Sequence, residues 1–205
     1  MKILLTGFEP FGPVRGNPSE QIVRRIAAQA RSRGDGDLLA EILPTEFSAA
    51  EKRIRQLIRK FRPGAVLCLG VAPKREKISL ERVALNLDDD LLPDNAGRLR
   101  AGRRIIPRGP AAYWSTLPLE RIRKQLDRRG VSVSYSNHAG TYLCNHVFYV
   151  ARHETERMEN RATCGFLHVP PVRRRSKNRK QRGIALSTMV EAVECCLEVL
   201  RDRKR

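Results

Sequence analysis

What this sequence lacks narrows its identity first. No apolar run approaches the roughly 20 residues that a membrane-spanning helix needs. The apolar opening "MKILLTG" is cut short by Gly7, Glu9 and Pro10, so it reads as a first strand and not as the core of a signal peptide. A cytoplasmic protein with no membrane partner is expected. There is no GxGxxG, no P-loop and no GxSxG. These absences remove the motif evidence for dinucleotide binding, for nucleotide phosphate binding and for a serine nucleophile elbow. The five cysteines, Cys68, Cys144, Cys164, Cys195 and Cys196, form neither an even framework nor a CxxC pair, so neither a disulfide scaffold nor a thioredoxin-like site is expected. His138 and His153 are too far apart for a helical zinc pair. Cys164 and His168 have helix-compatible spacing, but they lie in the apolar run "CGFLHVP", which reads as a strand. No metal and no cofactor are expected.

Acidic residues are also scarce: 22 Asp and Glu stand against 40 Lys and Arg, for a net charge of +18. Such a field attracts nucleic acid, anionic surfaces and acidic partners. The basic residues are dispersed, however, with Arg24, Arg25, Lys52, Arg53, Arg55, Arg103, Arg104, Arg121 and Arg123 in separate segments. Solvated surfaces explain most of them. A polyanion- or RNA-binding role is the alternative, and it lacks the interleaved aromatics of a single-strand platform. The one biased segment, Arg173 to Arg182, has seven Lys or Arg in ten residues and reads as a basic, self-repelling loop at about 172–183.

What is present is an alternation of short apolar runs with amphipathic stretches. Lys2 to Phe8, Leu38 to Pro44, Ala65 to Gly70 and Cys164 to Pro170 read as strands, and Ala65 to Gly70 is apolar throughout, as a strand covered on both faces is. "VSVSYSN" alternates as a strand, and "ISLERVALNLD" is expected to hold another. Helices are expected after Asn17, an N-cap followed by Pro18 and Glu20; after a Ser48/Glu51 capping box; over Leu117 to Gly130; from Tyr142 to Met158; and from about Ser187 to Arg201. A Pro- and Gly-rich loop covers about Leu92 to Pro110. Strand–helix alternation over the whole length predicts one α/β domain, residues 1–205, with a largely parallel sheet between helical layers. In such sheets functional residues gather at strand ends.

Thiol catalysis needs an activated sulfur, a base within reach and a group that orients the base. Cys144 falls near the start of a helix, where unpaired N–H groups and the macrodipole favour a thiolate and an oxyanion. Cys68 and Cys196 have ordinary packing positions. His168 ends an apolar strand and is either the base or a packed structural histidine. His146, two residues from Cys144, points away from it. Glu81 is a carboxylate among apolar residues and needs a partner: Arg75, Arg82 or a histidine.

At these residues the chain resembles the pyroglutamyl peptidase I family of cysteine peptidases, also called pyrrolidone carboxyl peptidases. "TGFEPFG" (Thr6 to Gly12) with "NPSE" (Asn17 to Glu20) is similar to its N-terminal signature. "ISLERVALN", "SNHAGTYLCNHVFY" and "GFLHVP" resemble its three catalytic segments, in order. "LPTEF", "LLPDNAG" and "GPAAYWSTLP" match further segments. The resemblance implies a three-layer α/β/α sandwich with a twisted, largely parallel, mixed sheet. It implies a metal-free Cys144/His168/Glu81 triad that removes N-terminal pyroglutamate from peptides through a thioester. It further implies assembly as a homodimer or homotetramer. Phe8 and Phe11 match positions around the lactam. Asn17, Thr45, Tyr142 and Leu143 match other substrate-binding positions. Leu91 and Val71 stand where family members often carry polar residues.

Overall fold

The protein is described by a computed structural model covering residues 1–11, 16–159, 161–173 and 183–202. Of the basic segment Arg173 to Arg182, all but Arg173 falls outside the described residues. Six strands form one sheet: β1 (Ile3–Phe8), β2 (Leu38–Leu43), β3 (Ala65–Val71), β4 (Ile78–Glu81), β7 (Val133–Ser136) and β8 (Thr163–Val169). Their order is β2-β1-β3-β8-β4-β7. All pairings are parallel except β4 with β8. The short strands β5 (Val83–Leu85) and β6 (Ala112–Trp114) form a separate antiparallel pair. "ISLERVALN" therefore holds two strands, broken at Arg82, where one was expected. The break lets the chain leave the main sheet immediately after Glu81.

Alternation along each strand sends side chains to opposite faces. From β1, Ile3 and Leu5 join one apolar cluster with α1 (Pro18–Ser32), α3 (Leu119–Arg128) and α5 (Leu186–Arg201). Leu4 and Phe8 join a second with α2 (Phe47–Phe61) and α4 (Leu143–Glu156). Both faces of the central strands are thus covered, which is why those runs are apolar throughout. The result is three layers, α/β/α, around a mixed, mostly parallel sheet. No helix among the described residues is long and apolar enough to cross a membrane.

The α1 start follows its sequence signals. The Asn17 side chain accepts from the Ser19 N–H at 3.0 Å, and Pro18 occupies the first turn. Gly7 on β1 is required by this packing: a Cβ there would lie 2.7 Å from the Ser19 carbonyl oxygen. The α2 start does not follow the expected capping box. The helix begins at Phe47, so Ser48 is already inside it. Its cap comes from afar, because the Phe47 N–H donates to Asp94 Oδ2 at 2.9 Å. Ser48 Oγ instead accepts from Arg98, and Glu51 pairs with Arg55. Asp94 also accepts from the Ala96 and Arg98 N–H groups, so one buried carboxylate closes a loop and caps a helix at once.

Asp94→Ala is therefore expected to lower the unfolding free energy by about 1–3 kcal/mol, read as a lower urea midpoint at unchanged slope. Ser48→Ala is expected to change it by less than about 0.5 kcal/mol. Equal effects of the two would show that the local cap, and not Asp94, holds α2.

Candidate active site

The ends of β1, β3 and β8 and the start of α4 surround a cleft of about 490 Å³. Phe8, Phe11, Asn17, Thr45, Tyr142, Leu143, Cys144 and His168 all line it. Five separate segments of the chain thus share one cavity. Glu81 lies behind it, fully buried.

The placement of Glu81 follows from strand pairing. In the antiparallel β4–β8 ladder, Ser79 is opposite His168 and Glu81 is opposite Phe166. Glu81 is therefore the diagonal neighbour of His168 on the same face, within reach of a long side chain. Its Oε1 lies 2.8 Å from His168 Nδ1. The same oxygen accepts from Arg75 at 2.5 Å, and Arg75 also bonds Ser136 Oγ at 3.1 Å. The arginine and histidine partners expected as alternatives are both present. These two contacts supply the hydrogen bonds that a buried carboxylate needs. With Nδ1–H donated to Glu81, His168 Nε2 keeps its lone pair for a proton acceptor role.

Cys144 is the second residue of α4, whose first N–H groups have no acceptor within the helix. Its sulfur lies over Gly70, the register partner of His168 on β3: a Cβ at Gly70 would sit 2.7 Å from Cys144 Sγ and 2.7 Å from Phe166. A side chain at position 70 is excluded by the sulfur's position. Burial pushes the Cys144 thiol up to about 12, and the Glu81 carboxylate adds to the rise, while Arg75 opposes it. The helix terminus and this burial act on the thiol in opposite directions. The remaining cysteines are free and buried. Burial holds Cys68 up to about 12 and Cys164 well above its ordinary value.

The aromatic loop is tied down at its carbonyls. Asn17 Nδ2 and Thr45 Oγ1 both donate to the Glu9 carbonyl, at 3.1 and 2.9 Å, and Asn95 Nδ2 donates to Pro10 at 3.1 Å. Across the cleft, Tyr142 OH donates to the Pro93 carbonyl at 3.0 Å. Burial, with Asp94 and Asp90 nearby, pushes this phenol up to about 12, so it stays a neutral donor. Val71 and Leu92 add apolar wall, and Asp90, Lys74 and Arg75 stand among the lining residues. Leu91 does not line the cleft; it is 90% exposed, and its neighbour Leu92 takes the wall position. Cleft walls of this kind suit a small, flat, uncharged group.

Cys164 and His168 both lie on β8, where four residues span about 13 Å, too far for one ion. Among the described residues no cluster of three metal-ligating side chains occurs. Of the dispersed basic residues, Arg24, Arg53, Arg55, Arg121 and Arg123 pair with Glu20, Glu41, Glu51, Asp202 and Asp127. The pocket role of Arg75 was not visible in sequence beyond its candidacy as a partner for Glu81. Its signal is a cation just before the strand that carries a lone carboxylate.

If His168 is the base for a thiol held near pH 12, iodoacetamide should alkylate Cys144 at pH 7 at least about tenfold faster in the intact protein than in His168→Ala. In the variant the rate should still be climbing above about pH 10. Equal rates at pH 7, followed by mass spectrometry of the Cys144 peptide, would separate the two side chains.

Comparison with known proteins agrees with this geometry. The family model for pyroglutamyl peptidase matches residues 1–203. A pyrrolidone-carboxylate peptidase of Bacillus licheniformis is 38% identical over 193 residues, covering 94% of this chain and 88% of its own. One of Bacillus cereus is 35% identical, covering 96% and 91%. Among solved structures, pyroglutamyl peptidase I of Bacillus amyloliquefaciens superposes with a TM-score of 0.90 at 34% identity, covering 98% of this chain and 95% of its own. A mutant pyrrolidone carboxyl peptidase of P. furiosus superposes at 0.91 with 34% identity over the whole of both chains. With a full-length family match, and with sulfur, imidazole and carboxylate gathered at one cleft, this chain belongs to the pyroglutamyl peptidase family.

Proposed function

We propose that this chain, acting as a single domain, removes an N-terminal pyroglutamyl residue from peptides with Cys144 as nucleophile, His168 as acid and base, and Glu81 as the group that orients His168. The observation that carries the assignment is the 2.8 Å contact between His168 Nδ1 and a fully buried Glu81, at the cleft that Cys144 also lines.

The lactam of pyroglutamate is flat and uncharged. Phe8, Phe11, Val71 and Leu143 supply apolar wall, and Asn17, Thr45 and Tyr142 supply polar groups and hold the loops around it. A free α-amine carries a charge and a different shape, so ordinary peptide termini lose the fit. His168 Nε2 takes the thiol proton, and the thiolate attacks the pyroglutamyl carbonyl. The developing oxyanion lies at the start of α4, where the Cys144 N–H is free to donate. The protonated imidazole then gives its proton to the leaving amine, which departs as the shortened peptide. Water, deprotonated by His168, hydrolyses the thioester and restores the thiol. Glu81 orients His168 in both halves, and Arg75 pairs with Glu81. No metal or cofactor enters these steps.

A reducing, cytoplasmic setting suits an enzyme that needs this thiol, and all five cysteines are free. Assembly as a homodimer or homotetramer belongs to the same reading. Sedimentation velocity tests it, with a single 23.3 kDa species as the contrary outcome.

Cys144→Ser is expected to lower kcat/KM for a pyroglutamyl-aminocoumarin reporter by roughly 10⁴-fold or more, because triad members act as a unit. Folding should be unchanged by circular dichroism. Full hydrolysis by the folded Ser variant, or none by the reduced parent protein, would overturn the assignment.

A further inference from the structure

Two residues beyond Cys144, His146 is sealed from solvent and has no part in the steps above. Its Nδ1 lies 2.9 and 3.1 Å from the two Asp88 carboxylate oxygens. Its Nε2 lies 3.4 Å from Glu51 Oε2, an ion-pair distance, and has no hydrogen-bond partner among the described residues. An imidazole facing carboxylates through both nitrogens has the surroundings of an imidazolium. The other charged groups around it serve those two carboxylates. Arg100 reaches Asp88 at 2.8 Å, and Arg55 of α2 holds Glu51 at 2.9 Å while also pairing with Glu154 of α4. Phe47 of α2 closes over the ring at 5.4 Å.

Asp88 is also the anchor of one cleft wall. Its backbone pairs both ways with Arg103, at 2.8 and 2.9 Å. The next residue, Asp89, is tied to Thr141 by an N–H to carbonyl bond of 3.0 Å and a hydroxyl bond of 2.6 Å. Asn145 Nδ2 donates to the Leu87 carbonyl at 3.0 Å. From this anchored segment Asp90 and Leu92 reach the cleft, and Pro93 holds Tyr142.

We propose that His146 is a positioning residue: as an imidazolium between Asp88 and Glu51, it holds the segment 86–103 against α4 and so sets the width of the lactam pocket. The proposal rests on the pyroglutamyl reading of that cleft. It concerns affinity, not the chemical steps, because the ring points away from Cys144 into the layer between α2 and α4. Burial by itself lowers the proton affinity of this ring, but Asp88 and Glu51 outweigh it and leave the pKa raised above 6.5. The sign follows. Below the raised pKa the ring is charged and the wall is held; as pH rises through it, the clamp loses its charge and lactam affinity falls.

The probe is 2-pyrrolidone, an uncharged lactam that does not titrate in this range. The readout is the concentration that halves Cys144 alkylation by iodoacetamide, from about pH 6 to about pH 9.5, beside KM and kcat for the reporter. In the parent protein that concentration should rise with pH. In His146→Asn, whose amide can donate to Asp88 but carries no charge and does not titrate, it should stay flat and within about threefold of the high-pH parent value. In His146→Leu it should be at least about tenfold higher at every pH, with KM raised alike and kcat within about threefold. Should His146→Leu not fold, Asp88→Asn carries the same expectation, and parent-like protection in it overturns the proposal. Identical behaviour of the Asn and Leu variants, or losses confined to kcat and to unprotected alkylation, also overturn it. A parent protein that neither cleaves the reporter nor is protected by 2-pyrrolidone overturns the pyroglutamyl reading itself. Cleavage and protection indifferent to His146 overturn only this inference.

Discussion

The buried carboxylate of Glu81 is the constraint around which the site is arranged. A fully buried charge is costly unless it is paired and hydrogen-bonded. Here one oxygen serves both His168 and Arg75, and Oε2 has no hydrogen-bond partner among the described residues. That demand explains the departure from an all-parallel sheet. Because β4 runs antiparallel to β8, the face that carries His168 also carries Ser79 and Glu81, and the carboxylate reaches the imidazole along the ladder. A strand of the other direction inserted here would present a different register to His168. The sheet thus positions two of the three proposed catalytic groups with no loop involved, and such placement on rigid elements limits drift.

The sulfur is positioned by a different device. It arrives on α4, whose packed side includes Val147, Phe148 and Ala151 in the apolar layer with α2. The space it enters exists because β3 carries glycine at position 70. Burial then works against ionisation, holding the Cys144 thiol near 12. Glu81 thus acts on the sulfur as well as holding His168, since its charge adds to the proton affinity of the Cys144 thiol.

Much of this was legible in the residues taken one segment at a time. The alternating apolar runs marked the strands of both faces, and Asn17–Pro18 marked the start of α1, because those signals are local. The candidacies of Cys144, His168 and Glu81 also came from local context: a helix start, a strand end and a carboxylate among apolar neighbours. What sequence could not give were relations across long separations. The α2 cap comes from Asp94, 47 residues from the N–H it serves, so a plausible nearby Ser48 misled. Glu81 was expected to choose among partners, yet it binds a histidine 87 residues away and Arg75 together. The pairing of β5 with β6 spans the long loop, so no short hairpin turn marks it in the sequence. Leu91 matched a site position by alignment of motif, but a turn closed by the Leu92 N–H on Asp90 Oδ1, at 3.0 Å, sends it outward.

The excess of positive charge and the uncharged ligand are reconciled by where the charges are spent. A pocket for a neutral lactam gains little from a cation at its centre, and its walls are largely apolar. Beside the Asp90, Lys74 and Arg75 of the lining, a larger set of ionic groups stands one layer behind. Asp88, His146, Glu51, Arg55, Glu154 and Arg59 form a continuous run of contacts beneath α4 and against α2. Exposed pairs of this kind contribute little stability each. Buried ones are specific because alternative packings leave charges unpaired. The run therefore discriminates among arrangements of α2, α4 and the 86–103 segment more than it stabilises any one of them. Those three elements are the ones that shape the cleft opposite the aromatic loop, so fidelity of the pocket is obtained from charges that the substrate never touches.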